Sequence, residues 1–183
     1  MTLSKTEILH KLNNLIPGST IIDSFPETNI YFKQIEESDI EDFHKYSLNP
    51  KLYEFFEFDA FKSMNDTQNY FNKMKSRIQN QTHYYWFIKL KEDNRLIGSA
   101  ALADINYERQ SVQWGKGIDP ELWGNNYNIE IQELLKHYIF EILEFNRLYG
   151  ITMINNRRTI ASVKSSGCMF EGILKDHYKK NGV

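Results

Sequence analysis

The sequence predicts a mixed α/β (α+β) fold, in which an antiparallel meander leads into a parallel strand-helix-strand-helix half. Three observations carry that prediction. HYYWFIKLK, RLIGSAALAD and Ser111–Ile118 follow one another through short polar turns, the pattern of a meander. Ile131, Leu134, Leu135, Tyr138, Ile139, Ile142 and Leu143 then recur at the helical period, which buries one face of a long helix. Beyond it a strand at 148–153, a helix over Arg157–Ser165 stopped by Gly167, and a last strand at 169–175 imply parallel pairing through crossover helices.

Taken in order, residues 4–15 form a short helix with Ile8, Leu9, Leu12 and Leu15 on one face. Pro17-Gly18 ends it and Pro26 marks the start of a new unit, so residues 1–26 read as a helical appendage and 27–183 as the domain proper. Residues 28–35 alternate as a first strand, with Ile30 and Phe32 inward. Ser38 and Glu41 have capping-box spacing for a helix running to about Tyr46. Asn49-Pro50 breaks that helix, and the run LYEFFEFDAF then suits either core packing or the lining of a cleft. Asp66 is placed to cap a second helix bearing Tyr70, Phe71, Met74 and Ile78. Gly115 and Gly117 are poor strand formers and predict that the third strand of the meander parts from a neighbour there.

With 183 residues the chain is long enough for one well-buried domain. A balance of 24 acids against 22 bases argues against a non-specific nucleic-acid binder. The N-terminal stretch has no apolar run for a membrane span, and a single Cys168 excludes an internal disulfide, which together suit the cytoplasm. The five His are scattered, so no metal site is expected. Charge is uneven: acids from Glu36 to Asp59, bases from Arg147 onward. Solvated surface explains both, as would a cationic group held on one side and a polyanion on the other.

The stretch Ile118 to Leu135 organises the rest. Pro120 turns the chain and Trp123-Gly124 closes a tight loop. Asn125 and Asn126 can cap the helix beyond it. Gly124 can take backbone angles that a Cβ resists. The unpaired N–H groups at the helix start can hold an anion such as pyrophosphate, and the same pattern also serves an ordinary helix cap.

These residues resemble the GCN5-related N-acetyltransferases (GNAT), in particular the branch of ribosomal-protein alanine acetyltransferases and their amino-sugar-modifying relatives. Three blocks carry the resemblance from Tyr31 onward. They are Gly115 with Ile118-Asp119-Pro120, Trp123-Gly124, Tyr127 and Glu130; then FEILEFNRL; then Asn156, Thr159, Gly167-Cys168 and Glu171-Gly172. The family's Gly-x-Gly-x-Ala loop is here Gly124-Asn125-Asn126-Tyr127-Asn128. Gln113 stands where relatives often have an acid, Val163 where many have a Tyr, and the chain reaches Val183 where the family turns into a final strand.

The resemblance implies transfer of an acetyl group from acetyl-CoA to a primary amine by direct attack in a ternary complex. The acceptor would be an amino sugar, a small amine or a protein N-terminus, and the protein a monomer or homodimer. It further implies cofactor binding by Gly117, Ile118, Trp123, Gly124, Asn125, Asn126, Tyr127, Asn128, Asn156 and Thr159. Catalytic roles fall to the Ile118 N–H as oxyanion donor, to Asn156 on the cofactor arm, and to Ser162 or Ser165 protonating the leaving thiolate. Asp104, Glu130 and Asp59 are candidate bases, although each also suits a surface carboxylate. Trp86 and Trp114 read as core. The alternative is a non-catalytic acyl-CoA-binding or interaction domain.

Overall fold

A five-stranded sheet in the order β1-β2-β3-β4-β5 frames the protein. The computed structural model describes residues 3–14 and 28–180. Its elements are α1 (Lys5–Asn14), β1 (Ile30–Gln34), α2 (Ile40–Ser47), α3 (Met64–Gln79), β2 (Tyr84–Leu90), β3 (Leu96–Asn106), β4 (Ser111–Ile118), α4 (Tyr127–His137), β5 (Arg147–Tyr149) and α5 (Arg157–Ser165). The first four strands pair antiparallel, and β5 joins β4 in parallel after the α4 crossover. The mixed sheet is the one expected. Leu15, Pro17-Gly18 and Pro26 lie outside the described residues.

β2 explains why the sheet carries two cores. All seven of its residues are buried, so it is covered on both faces. Trp86, Ile88 and Leu90 pack with Ile8 and Leu12 of α1 and with Ile131, Leu135 and Tyr138 around α4. Tyr85 and Phe87 point the other way, against Phe43 and Tyr46 of α2 and Phe71 and Met74 of α3. Trp86 lies 2% exposed and Trp114 8%, both within the first core.

Four expectations are corrected. Ser38 and Glu41 make no capping box: Glu37–Asp39 wind into a 3-10 turn, and α2 begins at Ile40 with no side-chain cap. Asp39 is drawn inward instead, to Lys33 Nζ at 2.7 Å and Lys89 Nζ at 2.6 Å. Asp66 is not the cap of α3. Ser63 is, accepting from the Asp66 N–H at 3.2 Å while Asp66 accepts from the Ser63 N–H at 3.0 Å. The long helix leaves α geometry after His137 and ends in a π turn, Tyr138–Ile142, which keeps Tyr138, Ile139 and Leu143 all buried.

The fourth correction concerns the C-terminal strands. The expected strand at 148–153 ends at Tyr149, and 169–175 form no strand at all. A Cβ on Gly150 would stand 2.5 Å from Trp114 Nε1, so the indole lies directly over the Gly150 backbone, just past the last β4–β5 pair. With β5 only three residues long, the 169–175 segment has little edge to join. An Arg147–Glu171 ion pair holds it, with Met169 and Phe170 exposed.

Candidate active site

β4 parts from β5 after Gln113, the last residue paired with Tyr149. The split thus opens at Trp114, one residue before the glycines that the sequence singled out. From Trp114 to Ile118 the strand keeps its pairing with β3 and shows a bare edge on the other side. Asp119 N–H donates to Ile97 O at 2.8 Å. Donors alternate sides along an antiparallel strand, so the Ile118 N–H turns away from β3 into the gap. The Ile118 carbonyl is taken by Trp123 Nε1–H at 3.0 Å, which ties the loop back onto the strand.

Beyond the strand, Asp119 stabilises the Pro120–Leu122 turn by accepting from the Glu121 N–H at 3.1 Å. Gly124 takes φ +95°, and a Cβ there would meet nothing within 4 Å. The turn therefore selects glycine by its backbone angle and leaves open space above the main chain. Asn126 sits at the N-cap position of α4, but its side chain makes no cap hydrogen bond, which departs from the expected capping. Asn125 Nδ2 donates instead to Leu122 O at 3.2 Å. Among the described residues the N–H groups of Tyr127 and Asn128 meet no protein acceptor, as at any helix start without a side-chain cap. They form a main-chain cradle with the positive end of α4 behind it.

α5 completes the wall. Asn156, 9% exposed, caps it through Oδ1, which accepts from the Thr159 N–H at 3.2 Å. Ser162 lies between the helices, accepting from Asn128 Nδ2 and from Gln132 Nε2 at 2.8 Å. Its oxygen thus braces α5 against α4. Arg158, which the sequence presented only as part of a basic run, lays its guanidinium 3.3 Å above the centre of the Trp123 ring.

The candidate bases scatter. Glu130 accepts from the Asn29 N–H at 2.7 Å and Nδ2 at 2.9 Å, joining α4 to β1. Asp104 is exposed on β3, level with the start of β4 rather than with Ile118. Asp59 stands 3.9 Å from Lys180 Nζ on the opposite face of the sheet. On that face a Cβ at Gly117 would come within 3.1 Å of Leu52, 3.4 Å of the Tyr46 hydroxyl and 3.6 Å of Phe56. Phe56 opens a cluster of rings with Tyr53, Phe58, Phe61 and Tyr70, fringed by Glu54, Glu57 and Asp59. The aromatic run is therefore core at Tyr53 and half-open rim at Phe56 and Phe58.

The sequence also passed over Lys116, between the two glycines. Its Nζ is buried with no hydrogen-bond partner, 4.9 Å from the Trp114 ring centre. Burial pushes its ammonium down to about 7, with Cys168 acting in the opposite direction. Because the unfolded chain binds this proton more tightly, stability should rise with pH from about 7 towards 10.5 and stay lowest below 7. Urea unfolding across that range checks this, and Lys116→Met should flatten the rise.

Among the described residues no helix is long and apolar enough to cross a membrane, and no cluster of His, Cys, Asp or Glu could hold a metal ion. Comparison with known proteins agrees with the geometry. Spermidine N(1)-acetyltransferase of Vibrio cholerae serotype O1 is 21% identical over 155 residues, 85% of this chain and 87% of that protein. The crystal structure of a Vibrio cholerae spermidine N-acetyltransferase with CoA and spermine superposes with a TM-score of 0.73 at 21% identity, over 84% of this chain and 89% of that one. A ribosomal-protein α-N-acetyltransferase in complex with coenzyme A gives 0.74 at 18%, over 85% and 89%. The profile of the acetyltransferase (GNAT) domain matches residues 29–169, and the chain accordingly belongs to the GNAT acetyltransferase family, as an N-acyltransferase that draws on an acyl-CoA.

Proposed function

We propose that the protein transfers acetyl from acetyl-CoA to a primary amine carried on a small cationic molecule. The observation that carries this reading is the bare edge of β4 running directly into the N–H cradle of α4. A pantetheine arm has amides that can pair with that edge as an added strand would, and the pyrophosphate suits the helix start. Acetyl-CoA supplies an activated carbonyl at the Ile118 end of the gap. There the Ile118 N–H is aimed to stabilise the oxygen that becomes negative as the amine adds. On the opposite face Gly117 lets Leu52, Tyr46 and Phe56 close down on the strand, so an amine reaches the carbonyl from the ring-lined rim beside them.

The choice of acceptor rests on the rim of that face. Rings attract cations over their faces, and Glu54, Glu57 and Asp59 add negative charge around them. A cation from the chain itself already sits at this rim: the Lys180 ammonium donates to the backbone carbonyls of Tyr53 at 2.6 Å and Glu54 at 3.3 Å. The spermidine specificity in the name of the Vibrio cholerae relative is of this chemical class.

Calorimetric titration with acetyl-CoA, followed by thiol release with a polyamine, an amino sugar and a peptide amine, tests the proposal. Turnover should favour the polyamine; equal rates with an uncharged amine would remove the acceptor assignment. Asn156→Ala should cost about 1 kcal/mol of stability through the lost cap. It should also lower turnover, because the amide that fixes α5 beside the cradle is gone. Full activity in that variant would take Asn156 out of the site.

A further inference from the structure

Lys116 and Trp114 share one face of β4, opposite the face on which Gly117 looks towards Leu52 and Phe56. The Trp114 indole lies on that face over the Gly150 backbone, at the level where β4 and β5 cease to pair, and the Lys116 ammonium stands beside it. The half-buried Val163 and Cys168 pack against the same core, joined by a Cys168 N–H to Val163 O hydrogen bond of 3.1 Å, and Cys168 acts on the Lys116 charge. Val163 carries no proton to give, and the Ser162 oxygen is already braced by Asn128 and Gln132. Lys116 Nζ is thus a buried donor without an acceptor on the strand whose edge is bare, a costly arrangement for a buried cation unless a ligand meets it.

Resting on the acetyl-transfer reading above, we infer that Lys116 is a catalytic residue, the acid that protonates the departing CoA sulfur. The acceptor nitrogen bonds to the thioester carbon while the C–S bond breaks, and the electron pair leaves with sulfur. Lys116 Nζ–H gives its proton to that sulfur, yielding the free thiol and a neutral amine that regains a proton from water. The proton shed by the acceptor nitrogen goes to solvent, so amine and thioester become amide and thiol. Burial keeps the ammonium a ready donor at neutral pH, with Cys168 the titratable group acting on it. Before transfer, the same positive charge favours the build-up of negative charge on sulfur.

The test is kinetic, with cofactor binding as its control. With acetyl-CoA and an amine, kcat should fall on the order of 100-fold in Lys116→Met and the alkaline limb of the rate profile should vanish. The acetyl-CoA Kd should stay within about threefold, since the interaction lost is one with the leaving group. Lys116→Arg keeps the charge but holds its proton, so it should bind acetyl-CoA and still lose the rate. An unchanged kcat and pH profile in Lys116→Met overturn the role of Lys116 alone. A wild-type protein that binds no CoA overturns the transfer reading together with it.

Discussion

Gly124→Val should abolish measurable acetyl-CoA binding while leaving the fold in place. At φ +95° a Cβ meets no neighbour within 4 Å, so the substitution creates no clash. The penalty lies in the backbone, about 1–2 kcal/mol for an ordinary side chain in the left-handed region and more for a β-branched one. The loop relieves that strain by rotating, and rotation swings the Tyr127 and Asn128 N–H groups off the direction in which they converge. Anion binding at a helix start depends on that convergence, so the affinity loss exceeds the strain itself. Calorimetry should show at least about a 100-fold weaker Kd, with a melting temperature within a few degrees of wild type. An unchanged Kd would remove the Gly124 cradle from the cofactor site.

Asp39→Ala should be the most destabilising single change on the other face. Its carboxylate side chain is 4% exposed and is gripped by Lys89 at 2.6 Å and Lys33 at 2.7 Å. Lys33 also reaches Glu36 at 3.0 Å, so it keeps a partner when Asp39 is lost. Lys89 does not: its ammonium would remain within the sheet, 11% exposed, without a counter-charge. Breaking a buried pair from one side costs about 3–5 kcal/mol, whereas removing both charges costs far less. The urea midpoint should therefore drop sharply in Asp39→Ala and recover in part when Lys89→Met is added. A loss under about 1 kcal/mol would show that water reaches Lys89.

Local signals carried most of the fold into view. The period of Ile131 to Leu143 needs no partner to be read, and neither does the punctuation at Pro120 and Gly124. Contacts distant along the chain were invisible. Asp39 lies in a string of acids that reads as solvated surface, and only the return of Lys89 on β2 turns it inward. A lysine between two glycines likewise reads as exposed, because nothing local to Lys116 announces that the fold closes over its ammonium. The 169–175 run has strand-forming residues, but a strand also needs an edge to receive it, and β5 offers only three residues. Arg158 on Trp123 joins residues far apart in sequence, and ring stacking leaves no mark on periodicity.

The alternation along β4 sends Lys116 to one side of the sheet and turns Gly117 to the other, over two cores with no fully buried residue in common. Donor handling and acceptor choice are consequently modular. A lineage can redraw the ring-and-carboxylate lip from Tyr53 to Tyr70, and so change its clientele, while the grip on the thioester is inherited intact.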